Sequence, residues 1–458
     1  MIRIAFSGSF KLVPIVSKCH KNFNRFYSAN THFDIIIVGG GLIGSTLACT
    51  LGKNSRLADK KILLLEAGKK KEFKLSQHYS NAVSSLNPGT YKLLNDIGVW
   101  SHINSVRFAT VKGLQIWESN SEAMINFRSD NAQEDVAYIV ENNVTLYGVY
   151  QELAKLDNVT VINEALISEF NLNSQKENNE VTLKNGPIYT CNLLLGCDGW
   201  KSQVRQKMGF HCVNWDYERM GVVATLELEE ECDNSIAWQR FLPYGPIALL
   251  PLNSKHSSLV WSTSPQHAKD LLSMTDQDFV DILNGSLSGS PKRNYIVEEG
   301  TKAFDQVLNF LQVSSRKNRQ FPPKIGKCQE NSRAAFPLGF GHCTNYVMKG
   351  VALLGDAAHR VHPLAGQGVN LGFGDIACLN SILGEASYSG SNLGSILHLK
   401  EYESQRQRHN IPMMLAIEGL HRLYGTEFPP VVLLRSLGVQ AFNALEPLKG
   451  FLRSQASL

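Results

Sequence analysis

The chain has 458 residues, 43% of them hydrophobic and 19% charged, with 36 glycines. That is enough apolar material for a two-domain α/β core and too much for a disordered protein. The formal charge of +4 is concentrated at the start: residues 1–30 hold Arg3, Lys11, Lys18, Lys21 and Arg25 and no acid, while the other 40 basic residues face 41 acidic ones. The near-neutral body gives no footing for nucleic acid, and no apolar run reaches the ~18 residues of a membrane-spanning helix.

Residues 1–30 also carry Ser7, Ser9, Ser17 and Ser28. Basic, serine-containing and acid-free, they read as a mitochondrial transit peptide, with the fold starting near Phe33. Phe33–Val38 is an apolar run that predicts a buried parallel strand. Gly39, Gly41 and Gly44 follow as G-x-G-x-x-G, a helix is predicted to about Gly52, and Lys61–Leu65 forms a second strand ending at Glu66. Glu66 stands 22 positions past Gly44. The glycines suit a tight turn and a pyrophosphate against the backbone, and the acid suits an adenosine ribose, so this βαβ unit predicts dinucleotide binding without separating FAD from NAD.

Residues 107–140 are strand-rich, Val144–Leu156 reads as a helix, Val159–Asn163 as a strand and Asn171–Glu180 as a polar hairpin. The apolar run to Gly196 ends in Asp198-Gly199, with Ser202 and Arg205 just beyond. From 210 to 335 strand alternation dominates, predicting a separate sheet. Val351–Leu354 is another apolar strand that stops at Gly355-Asp356. His359, His362, Pro363, Leu364, Gly366, Gln367, Gly368, Asn370 and Asp375 follow. An acid at a strand end can hold a sugar or ribityl hydroxyl, and a glycine-rich helix start offers free N–H groups and a positive dipole end. His359 and His362 read as loop-fixing residues rather than general bases. Nine scattered cysteines without a CxxC pair suggest free thiols and no metal site. The 386–458 stretch is predicted helical.

Taken in order, G-x-G-x-x-G, Asp198-Gly199 with Ser202 and Arg205, and GDAAH with Pro and GQG resemble the class A flavin-dependent aromatic hydroxylases, the family of para-hydroxybenzoate hydroxylase. YSN and VSSLNPGT at 79–90, AWQRFLPYGPIALLPL at 237–252, GDAAHRVHPLAGQGVNLGFGD at 355–375 and YESQRQRHN at 402–410 narrow the resemblance to the eukaryotic mitochondrial ubiquinone-biosynthesis FAD monooxygenases, and it spans the chain from Phe33 onward. The resemblance implies a discontinuous Rossmann-like FAD-binding domain (33–106, 141–209, 336–385), a β-sheet substrate domain (107–140, 210–335) and C-terminal helices. It implies FAD held by Gly39, Gly41, Gly44, Glu66, Asp198, Gly199, Gly355, Asp356, Pro363, Gly366, Gln367, Gly368 and Asn370. Gln239, Arg240 and Leu364 are expected near the substrate. No side chain is assigned as catalytic, because reduced FAD and O2 supply the oxygen transfer.

The expected reaction is hydroxylation of 4-hydroxy-3-polyprenylbenzoate at ring C5, with a possible second step at C1. The expected electron source is a ferredoxin and its reductase, or NAD(P)H. The expected place is a ubiquinone-biosynthesis enzyme complex on the matrix side of the mitochondrial inner membrane. Another FAD aromatic hydroxylase or epoxidase, or a non-catalytic binding module on the same fold, are the alternatives. One departure stands out: the family pattern carries Arg, meeting the FAD pyrophosphate, where this chain has Ala82.

Overall fold

A computed structural model describes residues 31–70, 72–128, 135–172, 178–184, 186–290, 295–310 and 320–444. The basic first 30 residues, expected as a transit peptide, and the end of the chain from 445 lie outside them. Among the described residues the strands form sheets of eight, nine and three strands.

The eight-stranded sheet is built on Thr31–Val38, which pairs in parallel with Ile62–Leu65 on one side and Ile188–Gly196 on the other. Val159–Ile162 extends it past Ile62–Leu65, and Val351–Leu353 joins beyond Ile188–Gly196. Ile35, Ile36 and Ile37 are essentially inaccessible, and so are Ile62, Leu63, Leu64 and Leu65 on the neighbouring strand. A strand covered on both faces reads as a continuous apolar run, which is why these stretches showed no alternation. The helix Leu42–Lys53 covers this sheet and packs against Asn142–Leu153 and Gln367–Tyr388.

The nine-stranded sheet is mainly antiparallel. Its spine is the 17-residue strand Cys212–Leu228, flanked by Ala334–Cys343 and His256–Thr263, and continued by Gly245–Pro251, Ile236–Leu242, Gly113–Glu118 and Met124–Arg128. Here alternation decides which side chain faces where. Val222, Ala224, Ile247, Leu249, Leu259 and Trp261 lie under the helices Pro265–Ser273 and Asp276–Ser288, in one buried core. Their out-of-phase neighbours Val223, Ala248, Leu250, Val260 and Ile116 are only half buried.

Three expectations change. The domain boundary placed at 335/336 falls inside the strand Ala334–Cys343, which belongs to the second sheet because it pairs with Cys212–Leu228 along most of its length. Residues 107–140 divide: Gly113–Glu118 and Met124–Arg128 join the second sheet, whereas Ala109–Val111 and Ala137–Glu141 pair with each other, the latter also with Val83–Leu86, in the small third sheet. The free-thiol expectation fails for one pair, since Cys212 and Cys343 form a disulfide. They stand directly opposite each other in the antiparallel ladder, a position that brings two side chains together although 131 positions separate them.

The long helix Ile396–Tyr424 and the helix Pro429–Ala444 close the molecule. Arg435 on the last helix donates to Glu118 at 2.6 Å and to the carbonyls of Leu423 and Thr426, with both charged side chains almost wholly buried. This ion pair ties the C-terminal helix to the edge of the second sheet. Among the described residues no helix is long and apolar enough to cross a membrane.

Candidate active site

The three glycine-bearing segments meet at the C-terminal ends of the parallel strands, where ligands of such sheets sit. Gly39, with φ +104°, packs so tightly on the second segment that an added Cβ would lie 2.5 Å from the Cys197 carbonyl oxygen. Arg205 Nη1 reaches from the second segment to the carbonyls of Ala357 (3.0 Å) and Asp356 (3.4 Å) in the third. Ile43, in the turn of the first helix, fills the space against Gly355 and Gly372.

This cradle fits a dinucleotide. The helix Leu42–Lys53 starts at Gly41 and the helix Gln367–Tyr388 at Gly366, and neither has a side-chain cap, so the first N–H groups of both face outward. Gly366 adopts φ +63°, a left-handed conformation that glycine takes without strain. Glu66 accepts from Gly40 N–H (2.6 Å) through one oxygen and from Gly68 N–H (2.7 Å) through the other. It is thereby fixed at the strand end, with a second lone pair on each oxygen left for hydroxyl groups.

Asp198 accepts from the N–H groups of Gln203 and Val204 through Oδ2 (2.6 and 3.2 Å), capping the short helix behind it. Its Oδ1 is buried without a hydrogen-bond partner among the described residues. An orphaned acceptor beside Gly199 fits a ligand hydroxyl. Asp356 is solvent-reachable although protein surrounds it closely, the combination that a concave site produces. That surrounding protein raises its pKa, while His359, Arg360 and Arg205 pull in the opposite direction.

The turn at Gly355-Asp356 is held from behind by a buried carboxylate. Asp375 is fully inaccessible; Oδ2 accepts from Gly355 N–H (2.9 Å) and pairs with His359 Nε2 (2.6 Å), while Oδ1 accepts from Arg406 Nε (2.8 Å) and Asn410 Nδ2 (3.3 Å). Burial alone would raise its pKa; His359, Arg406 and these hydrogen bonds outweigh it and hold the carboxyl far below the usual range. Asp375, Arg406 and Asn410 were not among the expected site residues. The signal available was an acid inside an apolar helix, with an Arg and an Asn four apart on another.

Asn370 takes a different role from the one expected. Its Oδ1 accepts from Asn87 N–H (3.0 Å) and Thr90 Oγ1 (2.9 Å), and its Nδ2 donates to the carbonyls of Ser85 (2.9 Å) and Gly366 (3.1 Å). Four bonds exhaust the side-chain amide, so it sets the loop and has no bond left to offer a ligand.

The expected substrate residues also separate. Arg240 lies on the helix-covered face, where it donates to the carbonyls of Ser286 (2.8 Å) and Gly289 (2.6 Å) at the end of the helix Asp276–Ser288. It braces that helix and points away from the cradle. Gln239, one position earlier, shares the opposite face with Phe241. Phe241 stacks on Tyr424 at 3.8 Å and packs with Leu364 and Ile417, so this face looks toward the cofactor segments and the long C-terminal helix. The half-open row of Ile116, Ala248, Val260 and Val223 lies on it, with Gln239 in the row and Thr225, Ser258 and Ser262 as further polar members of the face.

His362 sits at this junction, 1% exposed. Burial, the neighbouring His421 and Arg219 push its pKa down to about 3, so it is neutral at physiological pH. A histidine held neutral in the folded state contributes stability above its unfolded value near 6.5 that is lost as pH falls toward 3. Wild-type protein should therefore lose about 1.4 kcal/mol per pH unit more than a His362→Asn variant below pH 6.5, measured by urea unfolding across pH. Equal slopes would show that His362 is not held neutral.

Residues 32–301 and 311–414 match the FAD binding domain family. The ubiquinone biosynthesis monooxygenase COQ6 of Xenopus tropicalis is 46% identical over 433 residues, covering 93% of each chain. The human protein of the same name is 45% identical over 438 residues, covering 94% of this chain and 93% of that one. Among solved structures, PqsL of Pseudomonas aeruginosa, a probable FAD-dependent monooxygenase, superposes with a TM-score of 0.66 at 19% identity, over 90% of this chain and all of that one. The p-nitrophenol 4-monooxygenase PnpA of Pseudomonas putida gives 0.67 at 16%, over 94% and 99%. The fold is that of FAD-dependent aromatic hydroxylases, FAD is the cofactor, and the chain belongs to the COQ6 family of FAD-dependent ubiquinone biosynthesis monooxygenases.

Proposed function

We propose that this FAD-dependent monooxygenase of ubiquinone biosynthesis hydroxylates the ring of 4-hydroxy-3-polyprenylbenzoate at C5. The observation that carries the reading is the half-open apolar face of the second sheet, turned toward the FAD cradle and bearing Gln239, Thr225, Ser258 and Ser262 among its polar groups. Such a surface suits a ring with a long hydrocarbon substituent and few polar handles. Bound FAD, once reduced, supplies the oxygen-transfer chemistry with O2.

The protein's share is binding, orientation and exclusion of water. The open N-terminus at Gly41, with Gly39 and Gly44, would hold the pyrophosphate, Glu66 the adenosine ribose, and Asp198, Gly199 and Asp356 the hydroxyl-bearing chain. Pro363, Leu364, Gly366, Gln367 and Gly368 would flank the flavin ring, and the helix start at Gly366 would favour negative charge on its nearest edge. Phe241, Leu364, Ile417 and Tyr424 would keep water from the reacting face.

Residues 1–30 would direct the chain to mitochondria, where it would work peripherally on the matrix side of the inner membrane, in a complex with other enzymes of the pathway. Among the described residues one βαβ unit carries the dinucleotide pattern, and FAD would occupy it. Electrons would therefore arrive from a docked carrier, a ferredoxin with its reductase, or from transiently bound NAD(P)H. Loss of the protein should cause unhydroxylated polyprenyl-phenol to accumulate, read by mass spectrometry of lipid extracts; normal quinone levels would refute the assignment.

Ala82 is exposed at the entry to the strand Val83–Leu86, whose Ser85 lies against Gly366. Restoring an arginine there should tighten FAD binding about tenfold through a charge-assisted contact to the pyrophosphate. Flavin retained after gel filtration at low concentration measures it, and an unchanged value would remove the pyrophosphate from that position.

A further inference from the structure

We infer that the Nδ1 atom of His362 positions the substrate by hydrogen bonding its ring hydroxyl, and so selects phenols over other aromatic rings. The inference rests on the ring-hydroxylase reading above.

His362 immediately precedes Pro363 and Leu364, the residues placed beside the flavin ring. Its own ring is fixed from three sides. Nε2 lies 3.0 Å from Ser262 Oγ, and Ser262 belongs to the half-open face of the second sheet. The His421 ring of the long C-terminal helix stacks on it, with centroids 4.7 Å apart. Tyr217 meets both histidines edge-on or tilted, at 5.4 and 4.6 Å.

Tyr217 is itself held in place. It lies where the ladder between Cys212–Leu228 and Ala334–Cys343 slips, between Asp216 and Arg219, with Glu218 at φ +53°. A bulge of this kind re-aims a side chain. The Tyr217 hydroxyl donates to Glu418 Oε2 at 2.7 Å, and Glu418 accepts from Arg422 Nε at 2.5 Å. Tyr217 also lines a cavity of about 610 Å³ with Arg219, Met220, Ser264, Pro265 and Pro337. One aromatic side chain thus touches both an open cavity and a buried histidine.

Against this immobilisation one atom is left over. His362 Nδ1 is buried and has no hydrogen-bond partner among the described residues. A buried polar atom without a partner is costly, and the cost is recovered when a ligand supplies one. A neutral imidazole offers one donor and one acceptor nitrogen, and the Ser262 hydroxyl can serve either, so Nδ1 can meet a phenol in either sense. Reaction chemistry selects that hydroxyl. In a 4-hydroxy-3-polyprenylbenzoate, C5 is the free carbon adjacent to the hydroxyl-bearing C4. Holding the hydroxyl at Nδ1 therefore fixes the carbon to be oxidised one bond away.

The test uses the FAD-loaded protein with 4-hydroxybenzoate carrying one isoprene unit at C3 and with its 4-methoxy counterpart. Binding is read from the visible flavin spectrum, and oxygen transfer from product formed after photoreduction and exposure to air. Wild-type protein is expected to bind the phenol about tenfold more tightly than the methoxy compound. His362→Leu should lose that preference at unchanged FAD content. His362→Asn, whose amide reaches the place of Nδ1, should recover most of it; His362→Gln, which reaches the place of Nε2, should not. The Asn–Gln comparison decides the point if the Leu variant does not fold. A His362→Leu protein that keeps the preference, or Asn and Gln variants that behave alike, overturns the inference. Wild-type protein that transfers no oxygen to the prenylated phenol overturns the ring-hydroxylase reading itself.

Discussion

Asp375→Ala is expected to destabilise the protein by about 3–5 kcal/mol, because it leaves Arg406 and His359 buried without their carboxylate. The loss should reach the cofactor as well. Gly355 N–H loses its acceptor, and the Gly355-Asp356 turn loses the bond that sets its height against the helix Leu42–Lys53. Urea unfolding gives the first effect and flavin content the second. A double variant, Asp375→Leu with Arg406→Met, separates them. Replacing both charges by apolar groups should restore much of the stability, since breaking such a pair costs more than omitting it. Flavin should stay low, because the turn is still untethered. If the double variant also recovers flavin, the carboxylate serves only the fold.

Gly44→Ala and Gly41→Ala should give opposite patterns at neighbouring positions. A Cβ on Gly44 would fall 1.9 Å from the Gly39 carbonyl oxygen, which is backbone and cannot rotate away. The strand-to-helix turn must open, at about 3 kcal/mol or more, and flavin content should fall with stability. A Cβ on Gly41 would meet nothing within 4 Å. The apo protein should therefore unfold as wild type does, while FAD binding weakens at least tenfold, because the space a methyl enters is the space a pyrophosphate needs. Equal FAD affinity in Gly41→Ala would place the pyrophosphate elsewhere.

The contrast between these two glycines shows what a sequence can convey. Motif spacing and flanking apolar runs located the cradle because both are local: Phe33–Val38, the glycines and Glu66 lie within one βαβ unit. The same holds for the strand ending at Asp356. What escaped depends on long-range register or on phase. Arg240 and Gln239 are adjacent, and only knowing which sheet face is covered tells which one can see the cradle. The partners of Asp375 sit at 359, 406 and 410, on two elements, the short strand His359–Arg360 and the helix Ile396–Tyr424, whose packing no local pattern specifies. Asn370 looked like a ligand residue because it lies in the motif, yet its four bonds go to protein. The boundary at 335/336 failed because the strand Ala334–Cys343 leaves the second sheet only at its end, where the chain re-enters the cofactor domain.

That re-entry point has a covalent consequence. Cys212 opens the excursion into the second sheet and Cys343 closes it, so their disulfide, at a sequence separation of 131, turns the intervening stretch into a loop with a locked neck. A protease that cuts once anywhere between them does not release two fragments. The nicked protein would migrate as a single chain until a reductant is added, and only then separate. The neck also lies beside the Gly355-Asp356 turn, since Cys343 N–H donates to the carbonyl of Ala358. The glycine-rich cradle therefore stays attached to both halves of a broken chain.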